Sequence, residues 1–189
     1  MLGPNDRAHE RSAAFAREFE PHAAKLFAWA RLRVRRELWA VLEPEDLAQE
    51  VGCRALARFA AFDPARATFA AWLFGIASHV LNEALRALGR GPGSAKKLNF
   101  EADMNEIVDA VTTITKRVAR DESWNRFTAR AATLDDDDRA LLVHHGLEGL
   151  SHKEVATLMG ISEDTTRKRW QRLITKLRED PRLADLLPD

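Results

Sequence analysis

The sequence predicts an all-α fold made of two small helical domains joined by a partly helical linker. Three observations carry that expectation. Apolar residues recur at helical spacing over most of the 189 residues, which is the periodicity of amphipathic helices. No stretch alternates apolar and polar residues as a half-buried strand would. One segment, GRGPGSAKK at residues 89–97, combines glycine, proline and serine and reads as the boundary between the halves. The expected units are a flexible tail over 1–11, a first domain over 12–89, a linker over 90–121, a second domain over 122–180, and a tail over 181–189.

Ser12 to Gly89 is expected to be helical, with breaks near Pro21, Pro44 and Pro64. Pro44 suits the first turn of a helix, where its missing amide would be unpaired anyway. Glu45 and Asp46 then lie at the positive end of the helix dipole. On a wheel of this helix Leu47, Val51, Ala55 and Phe59 form the buried side. Asp46, Glu50 and Cys53 project, with Gln49 nearby. Thr68 is placed to cap the next helix, whose Phe69, Trp72, Leu73, Ile76 and Val80 line one side. Met104, Ile107, Val108, Val111, Ile114 and Val118 make a linker helix, and Trp124 to Leu134 resumes the pattern. The acids Asp135 to Asp138 enter a further helix. Four consecutive side chains fan around such a helix and do not converge on one ion, so they read as caps and dipole partners.

The last 40 residues carry the chemistry. Ser151 and Glu154 have the spacing of a capping box. Gly160 is placed to end that short helix in the left-handed conformation, and Ser162 to cap the next. This is a helix-turn-helix in outline. Thr166, Trp170, Leu173, Ile174 and Leu177 form its core stripe. Opposite lie Asp164, Thr165, Lys168, Gln171, Arg172 and Thr175, flanked by Arg167, Arg169 and Lys176. Between Ser162 and Glu179 six basic residues face three acidic ones, so a chain of formal net charge zero has a cationic tip. Such a helix fits the major groove, with cations on phosphates and Arg, Gln or Thr at base edges.

The stretch LEGLSHKEVATLMGISEDTTRKRWQRLITKLRE resembles region 4 of bacterial extracytoplasmic-function (ECF) sigma factors of the sigma-70 family. PEDLAQEVGCRALARFAAFD followed by FAAWLFGIASHVLNEALRAL resembles region 2 of the same family, in the same order. The resemblance implies a sigma factor: a dissociable subunit that binds core RNA polymerase and directs promoter-specific initiation. It implies polymerase contacts at Asp46, Gln49 and Glu50. DNA contacts follow at Thr165, Arg167, Lys168, Arg169, Gln171, Arg172 and Lys176 for the minus-thirty-five element, and at His79, Asn82 and Arg86 for the minus-ten element. An anti-sigma factor is a further candidate partner. The family often has basic residues near Gly75 and Ser78 and an asparagine at His79, so the smaller number of cations here is expected either to weaken promoter melting or to require help from Arg86, Arg90 or His79. Trp170 stands where a smaller aliphatic residue is common. Trp72 matches a family tryptophan, and its place on the apolar stripe favours core packing over base stacking. The alternative is a sigma-like decoy that binds an anti-sigma factor or polymerase without opening promoters.

An enzyme is not expected. His144 and His145 are adjacent and point apart on a helix, and Cys53 lies in no catalytic motif. No cofactor or metal is implied. The lone cysteine excludes an internal disulfide and favours a reducing compartment. No apolar run approaches the ~20 residues that span a bilayer. A cytoplasmic location without membrane insertion follows as the expectation.

Overall fold

The computed structural model describes residues 4–89 and 105–179, the side chains of 4–8 and 105–109 excepted. All regular structure among these residues is helical: α1 (Pro4–Arg33), α2 (Pro44–Arg58), α3 (Phe69–Gly89), α4 (Asn105–Ala119), α5 (Glu122–Ala131), α6 (Asp136–Leu141), α7 (His152–Met159) and α8 (Glu163–Arg178), with short 3-10 turns after α1 and α2. No described helix is long and apolar enough to cross a membrane. The boundary segment expected at 89–97 falls, but for Gly89, outside the described residues, as does Arg90.

Two expectations about α1 are corrected. It starts at Pro4, inside the span expected to be a flexible tail, and it runs through Pro21 without a break. An interior proline costs about 3 kcal/mol through a lost hydrogen bond and a clash with the preceding turn. Phe15, Phe19, Leu26 and Phe27, on both sides of Pro21, are almost wholly buried. Each is worth about 1.5–3 kcal/mol of burial, so packing outweighs the proline.

The helix starts follow local chemistry. Pro44 stands in the first turn of α2. Thr68 Oγ1 accepts from the Ala71 amide at 3.2 Å, and Asp135 accepts from the Asp138 amide at 2.8 Å. After α6 the chain widens into a π-helical turn, Leu142–Leu147, in which the Glu148 amide reaches back to the Val143 carbonyl at 2.9 Å.

Packing joins the two halves. α1 lies against α2, α3, α4, α5 and the π-turn, and α2 against α1, α3 and α4. One continuous apolar core runs from Phe15 and Trp29 through Leu47 and Leu73 to Phe127, Leu142 and Leu173. Val111 and Ile114 bury the apolar face of α4. The expected linker helix is therefore part of the core.

Candidate nucleic-acid interface

The helix-turn-helix is built by short-range hydrogen bonds. Ser151 caps α7 by accepting from the Glu154 amide, and Glu154 returns the favour by accepting from the Ser151 amide at 2.8 Å. Ser151 Oγ also donates to Glu154 Oε2 at 2.6 Å, and this bond, with the one from the Ser151 amide, holds the Glu154 carboxyl below the usual carboxylate range. Gly160 closes α7 at φ 67°, a left-handed conformation that L side chains rarely adopt. Ser162 then accepts from the Thr165 amide at 3.1 Å and starts α8.

α8 divides as its sequence predicts. Thr166, Trp170, Leu173, Ile174 and Leu177 are buried. Arg167, Lys168, Gln171, Arg172 and Lys176 are exposed, and Thr165 and Arg169 half-buried. Thr165 is partly committed to the cap, its Oγ1 lying 2.8 Å from Ser162 Oγ. Three of the cations hold acids: Arg167 pairs with Glu163 at 2.8 Å, Lys168 with Asp164 at 2.8 Å, and Arg169 with Asp137 of α6 at 2.6 Å. Arg169, Arg172 and Lys176 line one wall of a cleft of about 360 Å³ whose other wall is Asp135, Asp137 and Asp138. Asp137 was legible as an acid near a helix start. Its bond to α8 had no signal in the sequence.

Behind α8, Trp170 fills the space left by Gly146 of the π-turn. A Cβ built on Gly146 would stand 2.9 Å from Trp170 Cη2. His145 meets the indole edge-on, centroids 4.6 Å apart, and donates from Nδ1 to the Leu150 carbonyl at 2.6 Å. His144 turns away and donates to Glu148 Oε2 at 2.7 Å. The two histidines diverge, as expected.

His79, Asn82 and Arg86 share one exposed side of α3. His79 Nε2 lies 2.8 Å from Glu83 Oε1. Trp72 is half-buried, its ring 5.1 Å from that of Phe62 and 5.5 Å from that of Phe69, so it packs on phenylalanines as the apolar stripe suggests.

The set expected to face polymerase is not a single exposed face. Asp46 is exposed, Gln49 half-buried, and Glu50 buried. Glu50 was placed outward by a wheel that gave α2 one packing side; α2 in fact packs against α1, α3 and α4. Glu50 falls in this packed seam, where Arg54 Nε donates to its Oε1 at 2.5 Å and Arg54 Nη1 bonds Glu83 of α3. Burial works against the Arg54 charge, but the hydrogen bonds it donates to Glu83 and Glu50 outweigh it and hold its pKa above the usual arginine value. Cys53 is also half-buried, and burial, with help from Glu50, pushes its thiol up to about 11.

Comparison with known proteins decides the family. Residues 18–91 match the model of sigma-70 region 2, and residues 125–177 match that of sigma-70 region 4. The chain is 31% identical over 136 residues to the ECF RNA polymerase sigma factor ShbA of Streptomyces griseus, covering 71% of this chain and 69% of that one. The chain belongs to the ECF sigma factors of the sigma-70 family. It is also 26% identical over 181 residues to the ECF RNA polymerase sigma factor RpoE of Cereibacter sphaeroides, covering 92% of this chain and 89% of that one. No solved structure matches it. Membership assigns this sigma factor a role in transcription initiation and accords with a protein that is not an enzyme. The α2–α3 pair lies in the region 2 match, and the helix-turn-helix in the region 4 match.

Proposed function

We propose that this sigma factor binds core RNA polymerase and directs it to promoters, with residues 12–89 acting as the region 2 unit and 122–180 as the region 4 unit. The observation that carries the reading is α8: a capped helix with an apolar inner stripe and Arg167, Lys168, Gln171, Arg172 and Lys176 exposed along the outside. In this reading α8 enters the major groove of the minus-thirty-five element. The exposed strip His79, Asn82 and Arg86 of α3 meets the minus-ten element, and Asp46 leads the polymerase contact, because an exposed carboxylate pairs with cations on a partner. A pure decoy has no use for the cationic row on α8.

The test is run-off transcription with core polymerase on a genomic fragment library, comparing the parent with a variant carrying alanine at Arg167, Lys168, Arg169 and Arg172. Discrete transcripts from the parent and their loss in the variant are expected. A parent that binds polymerase yet initiates nowhere is a decoy; a variant that binds the recovered promoter as tightly as the parent at every salt concentration removes α8 as the reading helix.

A further inference from the structure

The recognition helix rests on a stack of rings. His145 of the π-turn and His152, the first residue of α7, lie face to face, their centroids 4.0 Å apart and their planes 26° from parallel. His145 in turn meets Trp170 of α8 edge-on, and its bond to the Leu150 carbonyl fixes the ring in place. His152 Nδ1 is buried and has no hydrogen-bond partner among the described residues.

These surroundings admit a neutral imidazole at 152 and resist a charged one. A cationic histidine carries a hydrogen on both nitrogens, whichever tautomer it came from, so the charged ring would hold a buried N–H with no acceptor. It would also stand at the positive end of the α7 dipole. The charges on the three neighbouring elements are unequal in their effect. The π-turn presents His145, while His144 is turned away onto Glu148. α8 presents Arg167 and Glu163, themselves paired at 2.8 Å. On α7, Glu154 is engaged by Ser151 and Lys153 is exposed. Burial, then the charges of His145 and Arg167, push the His152 pKa below the ordinary 6.5, and Glu163 acts the other way.

We propose that His145 and His152 are positioning residues of the recognition helix and that their neutral stack makes promoter reading by α8 proton-sensitive: a proton taken up at His152 loosens the rings behind Trp170, and with them the angle of α8. The inference rests on the proposed function, in which α8 is the reading helix. A histidine held below its free value binds fewer protons in the seated state than in a loosened one. The seat is therefore at full strength above about pH 6.5 and weakens as pH falls toward the lower, seated value. One pH unit below the free value the loss reaches at most about tenfold. A cation at 152 also attracts any duplex alike, so the effect is read in the ratio of promoter to scrambled-duplex affinity, where that attraction cancels.

The experiment uses the full chain. NMR with residue-specific assignment follows each imidazole through a pH titration. His152 is expected to titrate below about 6.5, to move lower still in Glu163→Gln, which removes the one acid facing it, and to move higher in Arg167→Gln, which removes a cation. In a second arm, affinities for a promoter duplex recovered by run-off transcription and for its scrambled counterpart are compared at about pH 7.5 and about pH 5.5. The ratio is expected to fall about five- to tenfold in the parent and to stay within about twofold in His152→Gln, which keeps a polar side chain and does not titrate. A His152 that titrates at or above the free value overturns the proposal, and so does an equal fall of the ratio in parent and His152→Gln. If His152→Gln does not fold, the two α8 variants decide, and titrations that fail to shift in opposite senses overturn the proposal. A parent with no preference for the recovered promoter at either pH defeats the proposed function instead, and the NMR titration still decides the state of the stack without DNA.

Discussion

Gly146→Ala tests the seat of the recognition helix. The added methyl would stand 2.9 Å from Trp170 Cη2, 3.3 Å from Leu142 Cδ1 and 3.4 Å from Trp170 Cζ3, where carbon atoms prefer roughly 3.5–4.0 Å. The indole is buried and held by the His145 edge, so it does not swing aside as the end of a flexible chain would. Overpacking of this kind costs about 1–3 kcal/mol, and alanine recovers about 0.5–1 kcal/mol of backbone entropy over glycine. The net expectation is ~0.5–2 kcal/mol of destabilisation. In a Trp170→Leu background the obstacle is gone, and the same Gly146→Ala change is expected to be neutral or stabilising by up to ~1 kcal/mol. A double-mutant cycle by urea unfolding thus reads a coupling of about 1–3 kcal/mol between the two positions. Promoter DNA binding by Gly146→Ala is expected to fall, and to recover in part in the double variant, if the indole sets the angle of α8. Equal cost of Gly146→Ala in both backgrounds, or a gain in the parent, would refute the packing argument.

Glu50→Lys should destabilise by about 3–5 kcal/mol, since it sets a second cation against part-buried Arg54, whereas Asp46→Lys should cost only about 1 kcal/mol, by placing a cation at the positive end of the α2 dipole, and should lower affinity for core polymerase in a pull-down. Cys53, with its thiol near 11, should be about a hundredfold slower than a free cysteine toward a disulfide reagent at pH 8, because the thiolate is the nucleophile; a thiol in the denatured chain supplies the reference rate. For Glu148, burial raises the pKa but the His144 and Trp29 hydrogen bonds outweigh it, leaving it below its ordinary 4.5. Its contribution is thus complete above about pH 4.5 and is lost as pH falls through the folded-state value. Urea stability followed as the pH is lowered should show that loss, and Glu148→Gln should remove this part of the pH dependence.

The sequence revealed what neighbours in the chain settle between themselves. Ser151 with Glu154, Ser162 with Thr165, Asp135 with Asp138 and Thr68 with Ala71 are bonds three residues apart, and each stands where the residue types place it. The α8 stripe from Thr166 to Leu177 was legible for the same reason, since one packing side suffices to describe that helix. Glu50 was misplaced because α2 has three partners, and a wheel cannot count partners. The continuity of α1 through Pro21 depends on phenylalanines that find α2 and α3 only after folding. The hydrogen bonds from Trp29 Nε1 to Glu148 Oε1 and from Arg31 Nη1 to Asn125 Oδ1, each 2.6 Å, and the pair of Asp137 with Arg169 join positions far apart in sequence, so no spacing announces them.

The pairing of Arg167, Lys168 and Arg169 with Glu163, Asp164 and Asp137 means that the recognition helix has counterions already in place, two of its own and one from α6. A cation that sheds a condensed ion on meeting DNA adds roughly 0.9 to the slope of log affinity against log salt; a cation that must first let go of a tethered carboxylate adds less. Free of polymerase, the helix-turn-helix should therefore cling only weakly to arbitrary duplex. A phosphate row that lands where the three acids now sit displaces them together, and that makes correct register on the groove the condition for release.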